Sequence, residues 1–142
     1  MFIFRVKTLA TASFYRDLNL IADPIEFDKS SSLWLYRLNP VKAARVGLQK
    51  ALSILEKANI YIPDEVKNTI ESLEKDCIDV YLTLEPPDVV LYTGSTDIVR
   101  VLRMKNLVVF DKKTATLRLP PMNLHRVLDL SLIHISEPTR PY

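Results

Sequence analysis

The sequence predicts an α+β fold, with a three-helix, winged-helix-like core followed by a small lobe of strand, helix, hairpin and helix. Three observations carry that prediction. Between Asn39 and Lys75, apolar side chains recur at three- and four-residue steps in three short segments. From Ile78 to Glu85 the pattern changes to strict alternation, the signature of a half-buried strand. Only 2 glycines against 9 prolines punctuate the chain, so the connections are expected to be tight and stiff.

Phe2 to Val6 reads as a strand, and Phe14 to Ile21 as a short helix or a second strand. Arg5, Lys7 and Arg16 among small and apolar residues also have the composition of an organelle-targeting peptide. The strand accounts for the same residues and is preferred. From Leu33 the end of a strand leads into Asn39-Pro40, a good helix start: Asn caps free N–H groups, and Pro at the first helical position loses no bond. Val41, Ala44, Leu48, Ala51, Leu52 and Leu55 then form one apolar face, with Leu52 and Leu55 expected in the core. Gly47 interrupts that face. A glycine inside a helix costs about 1 kcal/mol relative to Ala, so two short helices are expected, the second running to about Ala58. Asn59 suits a left-handed position after it. Pro63 keeps the Ile60–Ile62 connector extended, and a third helix opens at Pro63 or Asp64, burying Val66, Ile70 and Leu73.

Three helices so joined resemble a helix-turn-helix core, but the charge of the third argues against groove reading. Asp64, Glu65, Glu71, Glu74 and Asp76 stand against Lys67 and Lys75, whereas phosphate contacts demand Lys and Arg.

At 142 residues and 16.3 kDa the chain is long enough for a real core, and 48% hydrophobic with 25% charged residues is an ordinary globular composition. A net charge of +2 is too mild to imply nucleic acid by itself. The single cysteine, Cys77, excludes an internal disulfide and a cysteine metal site; it suits a reducing compartment and is expected to be buried at the end of the third helix. No run approaches the roughly 18 apolar residues of a membrane span. The expected location is the cytoplasm of a prokaryote or the nucleus, without secretion.

After the first alternating strand, Pro86-Pro87-Asp88 turns the chain into a second one at Val89 to Tyr92. Thr93-Gly94-Ser95-Thr96 follows, with Thr96 expected to cap a helix reaching Lys105 and burying Ile98, Val101 and Leu102. A helix N-terminus can bind anions, but this one lacks P-loop spacing and its lysine, and simple turn chemistry explains it. Leu107–Phe110 and Thr114–Leu119 flank a charged tip, Asp111-Lys112-Lys113, and read as a hairpin. Asn123 is expected to cap a last helix carrying Leu124, Val127 and Leu128. His125, without acids or cysteines nearby, has neither ligand spacing nor a nucleophile to serve. No carboxylates are paired for acid–base work. Catalytic, metal and cofactor residues are therefore expected to be none.

Positive charge concentrates in the later lobe: Arg100, Arg103, Lys105, Lys112 and Lys113 against Asp97 and Asp111. These five residues are the candidate nucleic-acid contacts.

Ser131 to Tyr142, SLIHISEPTRPY, changes character abruptly and resembles the translation of a transposase-type sequencing adapter. That resemblance implies a natural chain continuing beyond Leu130 and no role for His134; the composition break and the two prolines predict a tail that is extended or poorly packed and adds nothing to stability.

From Tyr36 to Leu130 the pattern resembles the N-terminal domain of XPB-type, superfamily-two DNA helicases. The pieces are Tyr36-Arg37-Leu38-Asn39-Pro40, Gly47-Leu48, Leu52-Ser53-Ile54-Leu55-Glu56-Lys57 and Ile62-Pro63-Asp64-Glu65-Val66, followed by the strand and helix order of the later lobe. Departures are the neutral-to-acidic Ile78-Asp79-Val80-Tyr81, where the family has a basic strand, and the lack of Walker A and DEAD-type boxes. The resemblance implies a non-catalytic accessory domain in DNA repair or transcription. It would position DNA, or dock a protein partner, for a downstream ATP-driven motor. The expected organisation is an N-terminal segment at 1–35, a helicase N-terminal-like domain at 36–130 (winged-helix-like core 36–93, α+β lobe 94–130), and the tail at 131–142. The alternative is a stand-alone winged-helix-like protein-interaction module. No membrane partner is expected, and the sequence sets no oligomeric state.

Overall fold

Phe4 and Val6 are buried while Ile3, Arg5 and Lys7 between them face out, the period of two that makes Ile3–Lys7 strand β1. A computed structural model describes residues 2–7, 11–130 and 135–136. It is α+β, with six α-helices and two sheets among the described residues, and it divides into Met1–Asp76 and Cys77–Tyr142.

In the first unit, β1 and β2 (Ala22–Asp28) flank β3 (Leu33–Leu38), both antiparallel to it. The register sets Phe4 opposite Tyr36, and sets both Val6 and Phe27 opposite Trp34. An aromatic ladder results on one face, with ring centroids 5.9 Å apart for Phe4–Tyr36, 6.2 Å for Trp34–Tyr36 and 5.3 Å for Phe27–Trp34. The sequence reading did not anticipate β2. Its acids Asp23, Glu26 and Asp28 mask the alternation, and a bulge between Pro24 and Glu26 shifts the register. Because β2 lies at the sheet edge, Pro24 need not donate to a ladder. Ala12–Leu18 form helix α1, in which Thr11 Oγ1 accepts from the Phe14 N–H and Leu18 is fully buried.

Helix α2 (Pro40–Val46) starts as expected. Asn39 Oδ1 accepts from the backbone N–H groups of Val41 at 3.1 Å and Lys42 at 3.2 Å. Its Nδ2 donates to Asp23 Oδ2 at 3.1 Å, and Lys42 Nζ meets Asp23 Oδ1 at 2.9 Å, so one β2 carboxylate ties down the start of α2. Gly47, at φ 99°, separates α2 from α3 (Leu48–Glu56). That dihedral is one L side chains rarely adopt. Asn59 follows in the left-handed region at φ 57°, and Pro63 precedes α4 (Asp64–Lys75).

The buried side of α3 is Ala51, Ile54 and Leu55. Leu52 lies on the flank and is only half-buried, because the face turns by one position after the break at Gly47. On α4, Ile70 and Leu73 are buried and Val66 is half-covered near the helix start. The α4 carboxylate Glu74 accepts from the Leu48 N–H at 3.1 Å and so caps α3, which has no side-chain cap of its own at Gly47.

Cys77 is exposed with φ 51°, which corrects the expectation of a buried thiol. The chain leaves α4 through that left-handed residue, so the side chain is turned out. In the second unit β4 (Val80–Glu85) and β5 (Asp88–Thr93) pair antiparallel. β5 also pairs with β7 (Thr116–Leu119), and β7 with β6 (Val109–Asp111). This pairing draws residues 80–93, which the sequence reading grouped with the helices, into the second unit. The core joins Val80, Leu82, Val89 and Leu91 to Leu102, Leu107, Leu119 and Val127. Helix α6 (Leu124–Leu128) follows a 3-10 turn at Pro121–Asn123, and Asn123 does not cap it. Its Nδ2 donates instead to the Leu107 carbonyl at 3.2 Å, pinning the turn to the strand side.

Of the tail, residues 131–134 and 137–142, with His134, lie outside the described residues. Ile135–Ser136 form β8, which pairs parallel with β4 at Val80 and Tyr81. At those two positions the backbone is extended and joins the sheet. Among the described residues, no helix is long and apolar enough to cross a membrane.

Candidate nucleic-acid interface

The five candidate cations stand on two elements of the second unit. Helix α5 (Thr96–Met104) carries Arg100 and Arg103, with Lys105 directly after it. The helix starts one residue earlier than expected: Ser95 Oγ, not Thr96, accepts from the Ile98 N–H at 3.3 Å. The neighbouring hydroxyl is also engaged, since Thr93 Oγ1 donates to the Asp79 carbonyl at 2.8 Å and accepts from the Ser95 N–H at 3.3 Å. The Thr93–Thr96 stretch therefore holds itself together as a turn and cap.

Only Leu102 on α5 is fully buried, with Ile98 packed partly against the core. Val101 is 41% exposed, against the expectation that it faces inward. One buried side chain per two turns leaves a wide outer face, and Arg100 and Arg103 are exposed on it. Arg100 Nη2 is bonded to Asp97 Oδ1 one turn earlier, so its charge is partly neutralised. Arg103 and Lys105 have no ion pair among the described residues.

Lys112 and Lys113 occupy the tip of the β6–β7 hairpin, both exposed. The tip is shaped by Asp111, whose Oδ1 accepts from the Lys113 N–H at 3.0 Å, and by Ala115 at φ 53°. That backbone hydrogen bond is the main reason the Asp111 carboxyl is held below the usual aspartate range; the Thr114 hydroxyl and the charges of Arg118 and Lys113 add to it. Stabilising Asp111 as an anion costs the tip part of its positive field. Lys112 and Lys113 themselves have no carboxylate partner among the described residues.

Sequence reading missed Arg118, on β7. Its Nη2 lies 3.3 Å from Glu85 Oε2 and its Nε 3.6 Å from Asp111 Oδ2. The cleft beside the hairpin, about 540 Å³, is lined by Phe110, Lys112, Lys113 and Arg118 but also by Asp88 and Asp111. It is a mixed-charge surface with Arg118 already committed. Val109 and Phe110 on edge strand β6 are 64% and 44% exposed.

In the first unit, α4 carries the acidic run, and its Lys67 lies 3.8 Å from Asp64. His125 stands exposed on α6. Among the described residues no group of three or more His, Cys, Asp or Glu could hold a metal ion. No protein-family model matches the chain, and no curated protein matches it.

Proposed function

We propose that this chain is a non-catalytic accessory domain that positions DNA for an ATP-driven helicase motor in repair or transcription. The observation that supports this reading is the distribution of unpaired positive charge. Arg103, Lys105, Lys112 and Lys113 are exposed and make no ion pair among the described residues, while α4 is acidic and its Lys67 leans toward Asp64. Phosphates dominate nucleic-acid affinity, so the contact runs through α5 and the hairpin. In this reading α2, α3 and α4 form the winged-helix-like core and act as a packing scaffold. ATP hydrolysis belongs to the motor, and this chain brings no cofactor of its own. Binding is weak and little dependent on sequence, because these residues make no bidentate base-reading set.

The test is a fluorescence-anisotropy titration of duplex and single-stranded DNA at two salt concentrations. The combined substitution Arg103→Glu and Lys105→Glu is expected to abolish binding, and the salt slope of the wild-type protein to reflect about four phosphate contacts. Unchanged affinity in that variant, with loss on substituting Lys67 and Lys75, would make α4 the reader and refute the assignment. A second reading, a stand-alone protein-interaction module, is favoured by the exposed Val109 and Phe110 on the open edge of β6. Complete absence of DNA binding at low salt would select it.

A further inference from the structure

A second cleft, entirely within the first unit, has a different character from the hairpin surface. It has a volume of about 600 Å³ and lies where the end of β1, the start of α1 and the residues following α3 come together. Small-molecule sites typically span about 300–1,000 Å³. Three cations line it: Arg5 and Lys7, which the alternation of β1 turns away from the core, and Lys57, which follows the last turn of α3. Among the described residues no carboxylate lines it, and none of the three cations has an ion pair.

Three uncompensated positive charges gathered on one concave surface repel one another and raise the potential inside it. Local geometry dictates the convergence. Arg5 and Lys7 are two residues apart on one strand and so share a face, while the left-handed Asn59 reverses the chain beside Lys57. The remaining walls are not basic. Phe14 and Leu33 are apolar and half-buried, and the Asn59 carboxamide, with no partner among the described residues, supplies both donor and acceptor.

We propose that this cleft binds a free nucleoside diphosphate, with the phosphates against Arg5, Lys7 and Lys57 and the base against Phe14. The diphosphate group carries roughly three negative charges near neutral pH, which three cations balance. Arg provides bidentate recognition of phosphate, and the lysines act as point charges. An aromatic face with an adjacent carboxamide fits the ring and polar edge of a base. The site uses none of the residues assigned to DNA, so it stands or falls independently of the accessory-domain reading.

The experiment is a calorimetric titration of the full chain with ADP, adenosine and pyrophosphate at low salt, followed by amide NMR of the wild-type protein. ADP is expected to bind at least about tenfold more tightly than adenosine, the loss that follows when charge-assisted phosphate contacts are removed. Pyrophosphate is expected to bind more weakly than ADP, for want of the base. The Arg5→Gln and Lys57→Gln double variant is expected to lower ADP affinity by about tenfold or more, while Arg103→Glu with Lys105→Glu leaves it unchanged. In the wild-type spectrum, ADP is expected to shift the amides of Thr11, Phe14 and Asn59, a readout that needs no variant to fold. Equal binding of ADP and adenosine, no ADP binding at millimolar concentration, or amide shifts confined to the second unit would each overturn the proposal. So would capture of an oligothymidylate strand at these same amides without any response to ADP.

Discussion

Removing the Glu74 carboxylate tests how the first unit holds its helices together. Helix α3 begins directly after Gly47, which has no side chain to satisfy the free N–H groups there. Glu74, 26 residues further along the chain, accepts from the Leu48 N–H at 3.1 Å through Oε2. A Cβ placed on Gly47 would lie 3.4 Å from Glu74 Oε1, so the carboxylate closes over the glycine. Losing a capping acceptor costs about 0.5–2 kcal/mol, and a negative charge at a helix N-terminus contributes about 0.3–1 kcal/mol. These overlap, since one group supplies both, and Glu74→Ala is expected to cost about 1–2 kcal/mol. Glu74→Gln keeps an acceptor oxygen and is expected to cost about 0.3–1 kcal/mol. Glu71, exposed on the same helix and without an ion pair among the described residues, is the control. The assay is urea unfolding followed by fluorescence of Trp34, the only tryptophan and a residue of the first unit. With a urea slope of roughly 1–3 kcal/mol per molar, the Glu74→Ala midpoint should fall by roughly 0.3–2 M. If Glu74→Ala shifts the midpoint no more than Glu71→Ala does, the cap contributes nothing and the reasoning fails.

Two further predictions follow from burial and hydrogen bonding. Leu55→Ala should cost about 2–5 kcal/mol, the range for buried leucines, and half-buried Leu52→Ala distinctly less; equal costs in the same urea assay would contradict the placement of α3. The Asp28 carboxyl, held by the Ser30 and Ser31 hydroxyls and the Ser30 N–H, is lowered from 3.8 to about 2. Its contribution to stability is therefore present above the unfolded value and is lost as pH falls from about 4 toward 2. Carboxyl NMR titration should show that midpoint in the wild-type protein and a rise toward the ordinary aspartate range in Ser30→Ala with Ser31→Ala. An unchanged midpoint in the double variant would remove the turn hydroxyls as the cause.

Much of the first unit's helical stretch was legible because its signals are local. Asn39-Pro40, Gly47, Asn59 and Pro63 each restrict the backbone of their immediate neighbours, and the helix boundaries fall at those residues. The alternation at Val80–Glu85 and the charged hairpin tip were legible for the same reason. Of the candidate site, the exposure of Lys105, Lys112 and Lys113 follows from lying at a helix end or a turn, and Arg103 stands beside Leu102 on the last turn of α5. The pairing of Arg100 with Asp97 is also local, one helical turn apart.

The sequence by itself determined an α+β chain of short elements, because dihedral preferences and apolar periods act over a few residues. Only the tertiary structure decided what those elements meet. Strand β2 exists because β3 offers its edge, which overrides the discouraging Pro24 and three acids. β5 belongs to the second unit because β7 pairs with it. Arg118 is neutralised by Glu85, 33 residues away, and Glu74 caps a helix 26 residues before it. Arg5, Lys7 and Lys57 share one cleft across some fifty residues of chain. Contacts at such separations depend on how strands and helices pack, and no local preference encodes which distant charge a side chain will face.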